Sequence, residues 1–502
     1  MLNPEYKSEL KNIAVNAGIG AFGIMFLNLM AFVNNAIITR TLGADDYGLF
    51  VLATNILYFI VIISQFGFGS TIVRYVSYYT GKGASGKVKG TIRYSAKVLL
   101  VSGLVLTVLA FLLSPVISTT IFDRPELTAY LKILLLSLPF LVVTVVVNAS
   151  LNGLKLIKYQ VLSTNILHPL LFFTFISIVF LAGYRLTGLI WVVFIMGIAG
   201  LLIPYFFLYT NYFKISKKIK PEVDKKELWK FAFPMYLIHF LNNAVLYIPI
   251  FLIGYFLSNT EVGVYNISFK LALLVSFSLG AFQLIFSPTI SNLFARNNKQ
   301  LIEQLYQSIT KWIFTISLVT FFIIMLFSGQ FLSIFGKEFI TGSTILLIMV
   351  CGEIFNATGG LAGNILIMSG RPKVALVNSL VAFVSISLSA WFLIPVYGMT
   401  GAAISYAVTI VLINLLRIAE LYLFEHIQPF NVSYLKPIIA GGIVYALMHV
   451  IVRQIDSEPY IKLIAGSAIF LLLYIGLIWL FKLDKEDKYI LSLITDRLSK
   501  SD

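Results

Sequence analysis

Small residues recur along the 502-residue chain at a nearly constant spacing. The acidic turn Asp45-Asp46-Tyr47-Gly48 precedes one apolar run, as Asn259-Thr260-Glu261-Val262-Gly263 precedes another. The matched positions keep their order along the chain, at offsets of 215, 217 and 213 residues: Gly48 with Gly263, Gly153 with Gly370, and Thr187-Gly188 with Thr400-Gly401. Several sites that share one offset predict two copies of a single structural unit fused in tandem.

The composition indicates that the chain lies in a membrane. Hydrophobic residues make up 59% of it and charged residues only 12%, so a water-covered globule is excluded. The apolar runs are long enough to cross about 30 Å of hydrocarbon, and they lack the alternation of strands. Because lipid offers no partner for free backbone groups, the sequence predicts an all-α polytopic membrane protein.

Charged residues between the apolar runs divide the chain into fourteen predicted spans. Twelve of them form two parallel six-helix repeats, and two lie at the end. They lie near 13–40, 48–79, 94–122, 127–152, 160–182, 188–211, 229–257, 263–294, 311–335, 343–368, 374–394, 401–424, 435–453 and 460–481. An even number places both termini on one side of the membrane, and most of the 37 lysines and arginines fall in the connections on that side. Both termini are therefore predicted to be cytoplasmic.

The densest basic run, from Lys214 to Lys230, falls where the first repeat ends. It predicts an N-lobe at 1–220, a C-lobe at 221–424, and a final helix pair with an amphipathic cytoplasmic tail at 425–502. The net charge of +15 is spread over short loops without the stacked aromatics of nucleic-acid binding. It therefore indicates anionic membrane lipids as partners and no nucleic acid.

Five segments carry a family resemblance: Arg40 to Phe50, Gln65-Phe66-Gly67-Phe68-Gly69 with Arg74-Tyr75, Asn152-Gly153, Ser287-Pro288, and Ser369-Gly370-Arg371-Pro372-Lys373. Together they resemble the oligosaccharide and polysaccharide flippases, the polysaccharide-transporter branch of the multidrug/oligosaccharidyl-lipid/polysaccharide exporter superfamily. The resemblance covers nearly the whole chain.

The resemblance implies a V-shaped pair of six-helix lobes followed by a helix pair that lines a groove for a prenyl tail. Such a protein moves a polyprenyl-(pyro)phosphate-linked oligosaccharide from the cytoplasmic to the outer leaflet of the cell membrane by alternating access. We expect it to act as a monomer on a lipid-linked glycan, for the assembly of cell-surface polysaccharide.

Sugars and a diphosphate need a hydrated, cationic cavity within the membrane. Arg74 shares one predicted helical face with Gly67, Ser70 and Thr71, and is a candidate phosphate ligand; snorkelling to headgroups is the alternative. Lys270, about two turns inside the eighth span, is a second cavity candidate.

Three asparagines offer amides for sugar hydroxyls, with helix-to-helix packing as the alternative. Asn34 and Asn35 stand near the place where, by the resemblance, peptidoglycan-precursor flippases carry a basic residue, and this departure argues against lipid II as the substrate. Asn243 shares a helical face with His239 and Tyr236 in the seventh span.

Glu353 lies near the middle of the tenth span, where a carboxylate must be protonated, paired or ion-bound. It is a candidate for coupling to a proton or sodium gradient, the alternative being a permanently protonated acid in an interhelical hydrogen bond. His239 is a second coupling candidate, by proton relay, the alternative being a histidine satisfied by an interhelical hydrogen bond.

The sequence shows no metal-ligand spacing, nucleotide-binding loop or serine elbow, so no metal, cofactor or enzymatic activity is expected. Two rival functions remain. A drug or organic-cation exporter would prefer an acidic cavity, which the balance of Arg74 and Lys270 against Glu353 disfavours. A membrane glycan polymerase or ligase would need a catalytic constellation outside the membrane, and the short outer loops offer none.

Overall fold

The computed structural model describes residues 4–214, 218–296, 298–454 and 458–481, together with Asp484 and Asp487. Helices dominate this part of the chain, and no strand occurs in it. The α-helices are α1 Pro4–Ser64, α2 Phe68–Gly81, α3 Ser85–Pro115, α4 Leu127–Leu135, α5 Leu138–Gly153, α6 Ile157–Val161, α7 His168–Leu181, α8 Leu186–Leu208, α9 Lys225–Phe256, α10 Asn259–Ala272, α11 Phe277–Ala295, α12 Lys299–Ser333, α13 Ser343–Met368, α14 Pro372–Glu425, α15 Leu435–Gln454 and α16 Pro459–Leu480.

Short π-helical turns continue three of these helices or join them, at Val116–Ile121, Leu162–Leu167 and Tyr209–Phe213. Two 3-10 turns, Lys337–Gly342 and Val432–Tyr434, lead into α13 and α15. These turns leave few residues outside helical structure. The prediction of an all-helical membrane fold is confirmed.

Two of the helices are too long for one membrane crossing. At 1.5 Å per residue, the 61 residues of α1 and the 54 of α14 would extend about 90 and about 80 Å. Each is broken at a glycine with positive φ, Gly43 at 81° and Gly398 at 58°. Glycine adopts this backbone without a Cβ penalty, so each long helix divides into two spans.

Within the described residues, ten helices are long and apolar enough to span a membrane, and up to twelve when the bent pairs α4–α5 and α10–α11 each count as one. The pairs bend by 43° and 54°. When α1 and α14 are each divided at their glycine break, the number of spanning segments rises from twelve to fourteen. This number is consistent with the predicted fourteen spans, while the two six-helix repeats stay a prediction.

Contacts divide the chain into two compact units, which we call the N unit (residues 23–266) and the C unit (residues 1–22 and 267–502). Contacts group helices by proximity and not by sequence repetition, so this division does not test the predicted lobes at 1–220 and 221–424. The predicted amphipathic tail lies outside the described residues except for Asp484 and Asp487.

Two repeat-related glycines of the N unit lie at one close backbone contact. A Cβ at Gly48 would lie 1.7 Å from the carbonyl oxygen of Asn259. A Cβ at Gly263 would lie 2.5 Å from the carbonyl oxygen of Ala44. The contact is reciprocal across the offset of 215 residues, and the hydroxyl of Thr260 is 3.3 Å from Asp45 Oδ1 beside it. Only glycine permits so close an approach of two helix backbones.

The C unit has its main apolar core between α11, α12, α13 and α14, with fully buried side chains such as Phe286, Ile309 and Leu361. The pair α15–α16 packs on α12 through a second cluster that includes Val444 and Phe470. Both clusters are dry and close-packed, so they hold the helices of this unit together mainly by burial of apolar surface and dispersion.

An ion-paired cluster joins α12 and α15 to the chain that follows α16. Lys311 Nζ lies 2.9 Å from both Asp484 Oδ2 and Asp487 Oδ1. Lys436 Nζ is 2.6 Å from Asp484 Oδ1, and the Trp312 indole donates to Asp487 at 2.8 Å. Burial alone raises the pKa of the Asp484 carboxyl, but hydrogen bonds from Lys436 and Lys311 outweigh it and lower the pKa to about 2.

Candidate substrate cavity and buried carboxylate

The second predicted span is interrupted at Gly67, and the interruption brings α2 against α9. Gly67 has φ of 74°, and a Cβ there would lie 2.1 Å from the carbonyl oxygen of Ala232 on α9. A residue with a side chain could neither adopt this backbone cheaply nor fit against α9. The break therefore directs the start of α2 along α9.

A cavity of about 540 Å³ opens in the N unit between α2 and α5. Among the described residues, none that lines it is acidic, and Arg74 is the only charged one. The lining residues are Gly69, Ser70, Val73, Arg74, Val145, Asn148, Ala149 and Asn152. The cavity thus offers one cation, one hydroxyl and two amides on an otherwise apolar wall.

Arg74 is exposed, and its guanidinium stacks on aromatic rings rather than on a carboxylate. Its Cζ lies 4.3 Å from the ring centroid of Phe231 on α9 and 5.7 Å from that of Tyr75. It forms no hydrogen bond or ion pair within the described part of the chain. Stacking fixes the plane of the guanidinium while its N–H groups stay available for an anion.

His239 reaches the same cavity through Ser70. The His239 Nε2 atom is 2.8 Å from Ser70 Oγ, which joins α9 to α2. Asn243, one turn further along α9, donates its amide to the His239 carbonyl oxygen at 2.8 Å. The structure therefore brings Arg74 and His239 to one site, whereas a backbone acceptor of its own helix occupies the amide of Asn243.

One part of the predicted cavity face is wrong. Thr71 is fully buried, and its hydroxyl donates to the Gly67 carbonyl oxygen at 2.9 Å. A helix that packs on both α5 and α9 buries the side next to its exposed stripe, so only Ser70 and Arg74 of the predicted group line the cavity.

Asn148 and Asn152 on α5 are lining residues that sequence reasoning did not select as site candidates. They are four residues apart, so they share one face of α5, and the Asn148 side-chain oxygen is buried without a partner among the described residues. Their spacing in the apolar run from Leu138 to Gly153 is a sequence signal that could have identified them.

Glu353 is fully buried in α13 of the C unit, and three side chains donate to its carboxylate. Tyr406 on α14 donates to Oε1. Ser276, in the bend between α10 and α11, donates to Oε2, and the Asn356 amide does so at 3.1 Å. The bend between two half-helices and a mid-helix carboxylate thus form one polar cluster inside an apolar unit.

The polar cluster extends along α13 towards α14. The Asn414 amide lies 3.4 Å from Asn356 Oδ1 and 2.9 Å from the Ile410 carbonyl oxygen. Further along α14, Glu420 accepts from the Asn378 amide at 2.6 Å. Glu353 therefore belongs to a chain of amides, and it has no ion-pair partner among the described residues.

The two remaining candidates lie elsewhere. Asn34 on α1 is 4% exposed, and its side-chain oxygen has no hydrogen-bond partner among the described residues. Lys270 lies in the last turn of α10 and its side chain is exposed. Neither lines the cavity beside Arg74. Their roles stay predictions.

No cluster of three or more histidine, cysteine, aspartate or glutamate side chains within the described residues could hold a metal ion. Ser70, Arg74 and the cavity asparagines offer hydrogen bonds and one positive charge. The site is therefore equipped to bind a polar anionic molecule.

Two family models match the chain. One, described as polysaccharide biosynthesis protein, matches residues 13–294, and the model MatE matches residues 234–393. A curated relative, the probable low-salt glycan biosynthesis flippase Agl15 of Haloferax volcanii, is 24% identical over 285 residues. The match covers 55% of this chain and 59% of that relative, so the chain spans less than two thirds of the relative's length.

Solved structures show the same fold. The lipid II flippase MurJ in an inward closed conformation aligns with a TM-score of 0.73 at 14% identity, over 92% of this chain and 98% of that one. An inward-facing multidrug resistance MATE transporter aligns with a TM-score of 0.69 at 14% identity, over 80% and 94%. A transporter from Pyrococcus furiosus, described as having a binding pocket of reverse polarity, aligns with a TM-score of 0.61 at 13% identity, over 85% and 99%.

Proposed function

We propose that this chain, which belongs to the polysaccharide biosynthesis protein family, is a flippase that moves a polyprenyl-(pyro)phosphate-linked oligosaccharide from the cytoplasmic to the outer leaflet. It is a transporter and not an enzyme. The resemblance read from its sequence motifs is confirmed by the two matching family models. The identity of the substrate rests on the site and on analogy with a glycan flippase.

The observation that carries this proposal is the chemistry of the cavity beside Arg74. A lipid-linked glycan presents a diphosphate and hydroxyl-rich sugars, and its prenyl chain can stay in hydrocarbon. Arg74 would hold phosphate oxygens through paired N–H donors, and the amides of Asn148 and Asn152 would meet sugar hydroxyls. A cavity without acidic lining does not suit an organic cation.

Glu353 is the proposed coupling group. Its carboxylate accepts from three donors and has no ion-pair partner among the described residues, so it would take up a proton or an alkali ion as these donors shift away. Binding of an ion there would bias the packing of the α10–α11 bend, through Ser276, between two arrangements. Whether the ion is H⁺ or Na⁺ follows from the gradient that drives exchange.

Alternating access would use the reciprocal contact at Gly48 and Gly263, where the repeat-related turns meet. Separation of these two segments would open the protein to one side of the membrane, and renewed contact between them would close it. In the proposed cycle both termini face the cytoplasm and the monomer is the working form. The lobes at 1–220 and 221–424 rock against each other, and the final helix pair within 425–502 guides the prenyl tail.

The test is reconstitution into liposomes that contain a fluorescent polyprenyl-diphosphate oligosaccharide. Leaflet exchange is scored by quenching of the outer leaflet, with and without a proton or sodium gradient. The variant is Arg74→Gln, and its matched control is Lys82→Gln, which removes a cation just past the end of the same helix but outside the cavity. The proposal expects exchange by wild type and Lys82→Gln, and its loss in Arg74→Gln.

Two results would overturn the proposal. Absence of exchange by wild type under every gradient, together with efflux of a cationic dye, would favour the exporter that the MatE match also allows. Lengthening of the glycan, instead of its movement, would indicate a polymerase.

A further inference from the structure

The N unit contains a second cationic cavity, separate from the one beside Arg74. Its volume is about 380 Å³, and it lies between the start of α3, α5 and the end of α8. The proposed function assigns it no role. The lining residues are Lys89, Ile92, Arg93, Ala96, Val143, Val146, Val147, Tyr205, Leu208, Tyr209 and Phe213.

Two cations stand one helical turn apart in this cavity. Lys89 is 2% exposed, and its ammonium donates to the Ile219 carbonyl oxygen at 2.9 Å. Arg93 is exposed and forms neither a hydrogen bond nor an ion pair with any described residue. None of the described residues that line this cavity is acidic, and the chain at Glu222 packs on Gly86 and Gly90 of α3. The exposed guanidinium of Arg93 is therefore the group that an anion would contact first.

The other lining residues indicate which kind of anion would fit this cavity. Tyr205 and Tyr209 are exposed lining residues, and Val143, Val146 and Leu208 form an apolar wall. Lys89 and Arg93 lie just before the third predicted span, near 94–122, where we expect lipid headgroups. A phosphate at the cations and acyl chains along the valines would satisfy both halves of the cavity at once.

We propose that this cavity binds the phosphate headgroup of an anionic membrane phospholipid, with Arg93 as its principal ligand and Lys89 behind it. Basic pockets between helices are established headgroup sites in membrane proteins. The lipid would tie the start of α3 to the end of α8, beside the basic run from Lys214 to Lys230. This site does not depend on the identity of the transported molecule.

The test measures lipid binding to the full-length protein in a neutral detergent. Dioctanoyl phosphatidylglycerol, dioctanoyl phosphatidylcholine and inorganic phosphate are titrated separately, and binding is followed by native mass spectrometry and thermophoresis. Arg93→Gln is compared with Arg93→Lys and with Lys97→Gln. Lys97 is an exposed cation one turn further along α3 that does not line this cavity.

Wild type is expected to bind phosphatidylglycerol at least about tenfold more tightly than phosphatidylcholine, since the choline of the zwitterionic headgroup offsets the attraction of its phosphate to Arg93. Arg93→Gln should weaken phosphatidylglycerol binding by about tenfold, and Lys97→Gln by less than about twofold. Arg93→Lys should recover part of the loss. Equal weakening by Arg93→Gln and Lys97→Gln would overturn the site, as would inorganic phosphate binding as tightly as the lipid.

Discussion

The cavity beside Arg74 in the N unit and the Glu353 cluster in the C unit each contain one charged side chain, but the two side chains have opposite environments. Arg74 is exposed, stacks on Phe231 and has no hydrogen-bond or ion-pair partner among the described residues. Glu353 is fully buried and accepts from three side chains. A large polar substrate needs an open site with donors to spare, while a small ion needs a closed shell of ligands.

The difference teaches how one transporter separates two tasks. An open cation can lose its water and gain phosphate without breaking a protein contact. A buried carboxylate with three donors changes its protonation or ion occupancy only by shifting those donors, and such a shift moves helices. This contrast supports the proposal that the Arg74 cavity binds the substrate and that Glu353 couples its movement to an ion.

The largest effect is expected at the closed site. Glu353→Ala removes the carboxylate that accepts from Ser276, Tyr406 and Asn356, and a buried donor that loses its acceptor costs about 1 to 3 kcal/mol. The free energy of unfolding should fall by at least about 3 kcal/mol. Thermal unfolding in detergent checks this. Glu353→Gln keeps oxygen and hydrogen-bonding capacity, so it should retain most of the stability while exchange loses its gradient dependence. Equal unfolding temperatures of Glu353→Ala and Glu353→Gln would contradict the description of Glu353 as a closed site.

The next effect sharpens the description of the open site. Gly67→Ala places a Cβ 2.1 Å from the Ala232 carbonyl oxygen at a backbone of φ 74°, which should cost about 2 to 3 kcal/mol and separate α2 from α9. Its control, Gly69→Ala, meets Val145 Cγ1 at an ordinary 3.5 Å and should unfold like wild type. Unfolding temperatures that rank the two variants the other way would show that the break does not position α2.

A third prediction concerns the other polar cluster of the C unit, the ion-paired one around Asp484. Hydrogen bonds from Lys436 and Lys311 outweigh burial and hold the pKa of Asp484 at about 2, below its unfolded value of about 3.9. The stabilisation, about 2 kcal/mol, is present above pH 4 and is lost as pH falls through 2. Unfolding temperatures of wild type and Asp484→Asn should therefore converge between about pH 4 and pH 2. A gap that stays constant over that range would contradict the ion-paired assignment.

The smallest effect is expected for the contact between Ser70 and His239. Ser70→Ala removes one partly exposed hydrogen bond, worth about 0.5 to 1.5 kcal/mol. The initial rate of leaflet exchange should fall by less than about tenfold. The control Ser102→Ala removes the bond to the Ser64 carbonyl oxygen elsewhere in the N unit and should leave exchange unchanged. Complete loss of exchange in Ser70→Ala would contradict a minor role for this contact.

The sequence was informative where a property is local. Apolar length predicted the spans, and Gly43 and Gly398, which have positive φ, fall between predicted spans, whereas the break at Gly67 inside the second predicted span was not predicted. Arg74 was recognisable because a cation at membrane depth needs a reason.

Partners from distant helices were not predictable in this way. Nothing in a single chain distinguishes Ser276 or Tyr406 from other polar residues of apolar spans, yet both donate to Glu353. The burial of Thr71 depends on which helices pack against α2, and the pairing of Lys311 with Asp484 joins positions 173 residues apart. These features arise from packing, which a pattern along one helix does not contain.

The most direct test of the division of roles is the affinity for polyprenyl-diphosphate oligosaccharide without any ion gradient. Binding to purified wild type, Arg74→Gln and Glu353→Gln is measured by thermophoresis in one detergent. Loss of the charge-assisted phosphate bonds should weaken binding to Arg74→Gln by at least about tenfold. Binding to Glu353→Gln should stay within about threefold of wild type, because no substrate contact is lost. Unchanged binding to Arg74→Gln, or its loss in Glu353→Gln alone, would contradict the assignment of the cavity as the substrate site.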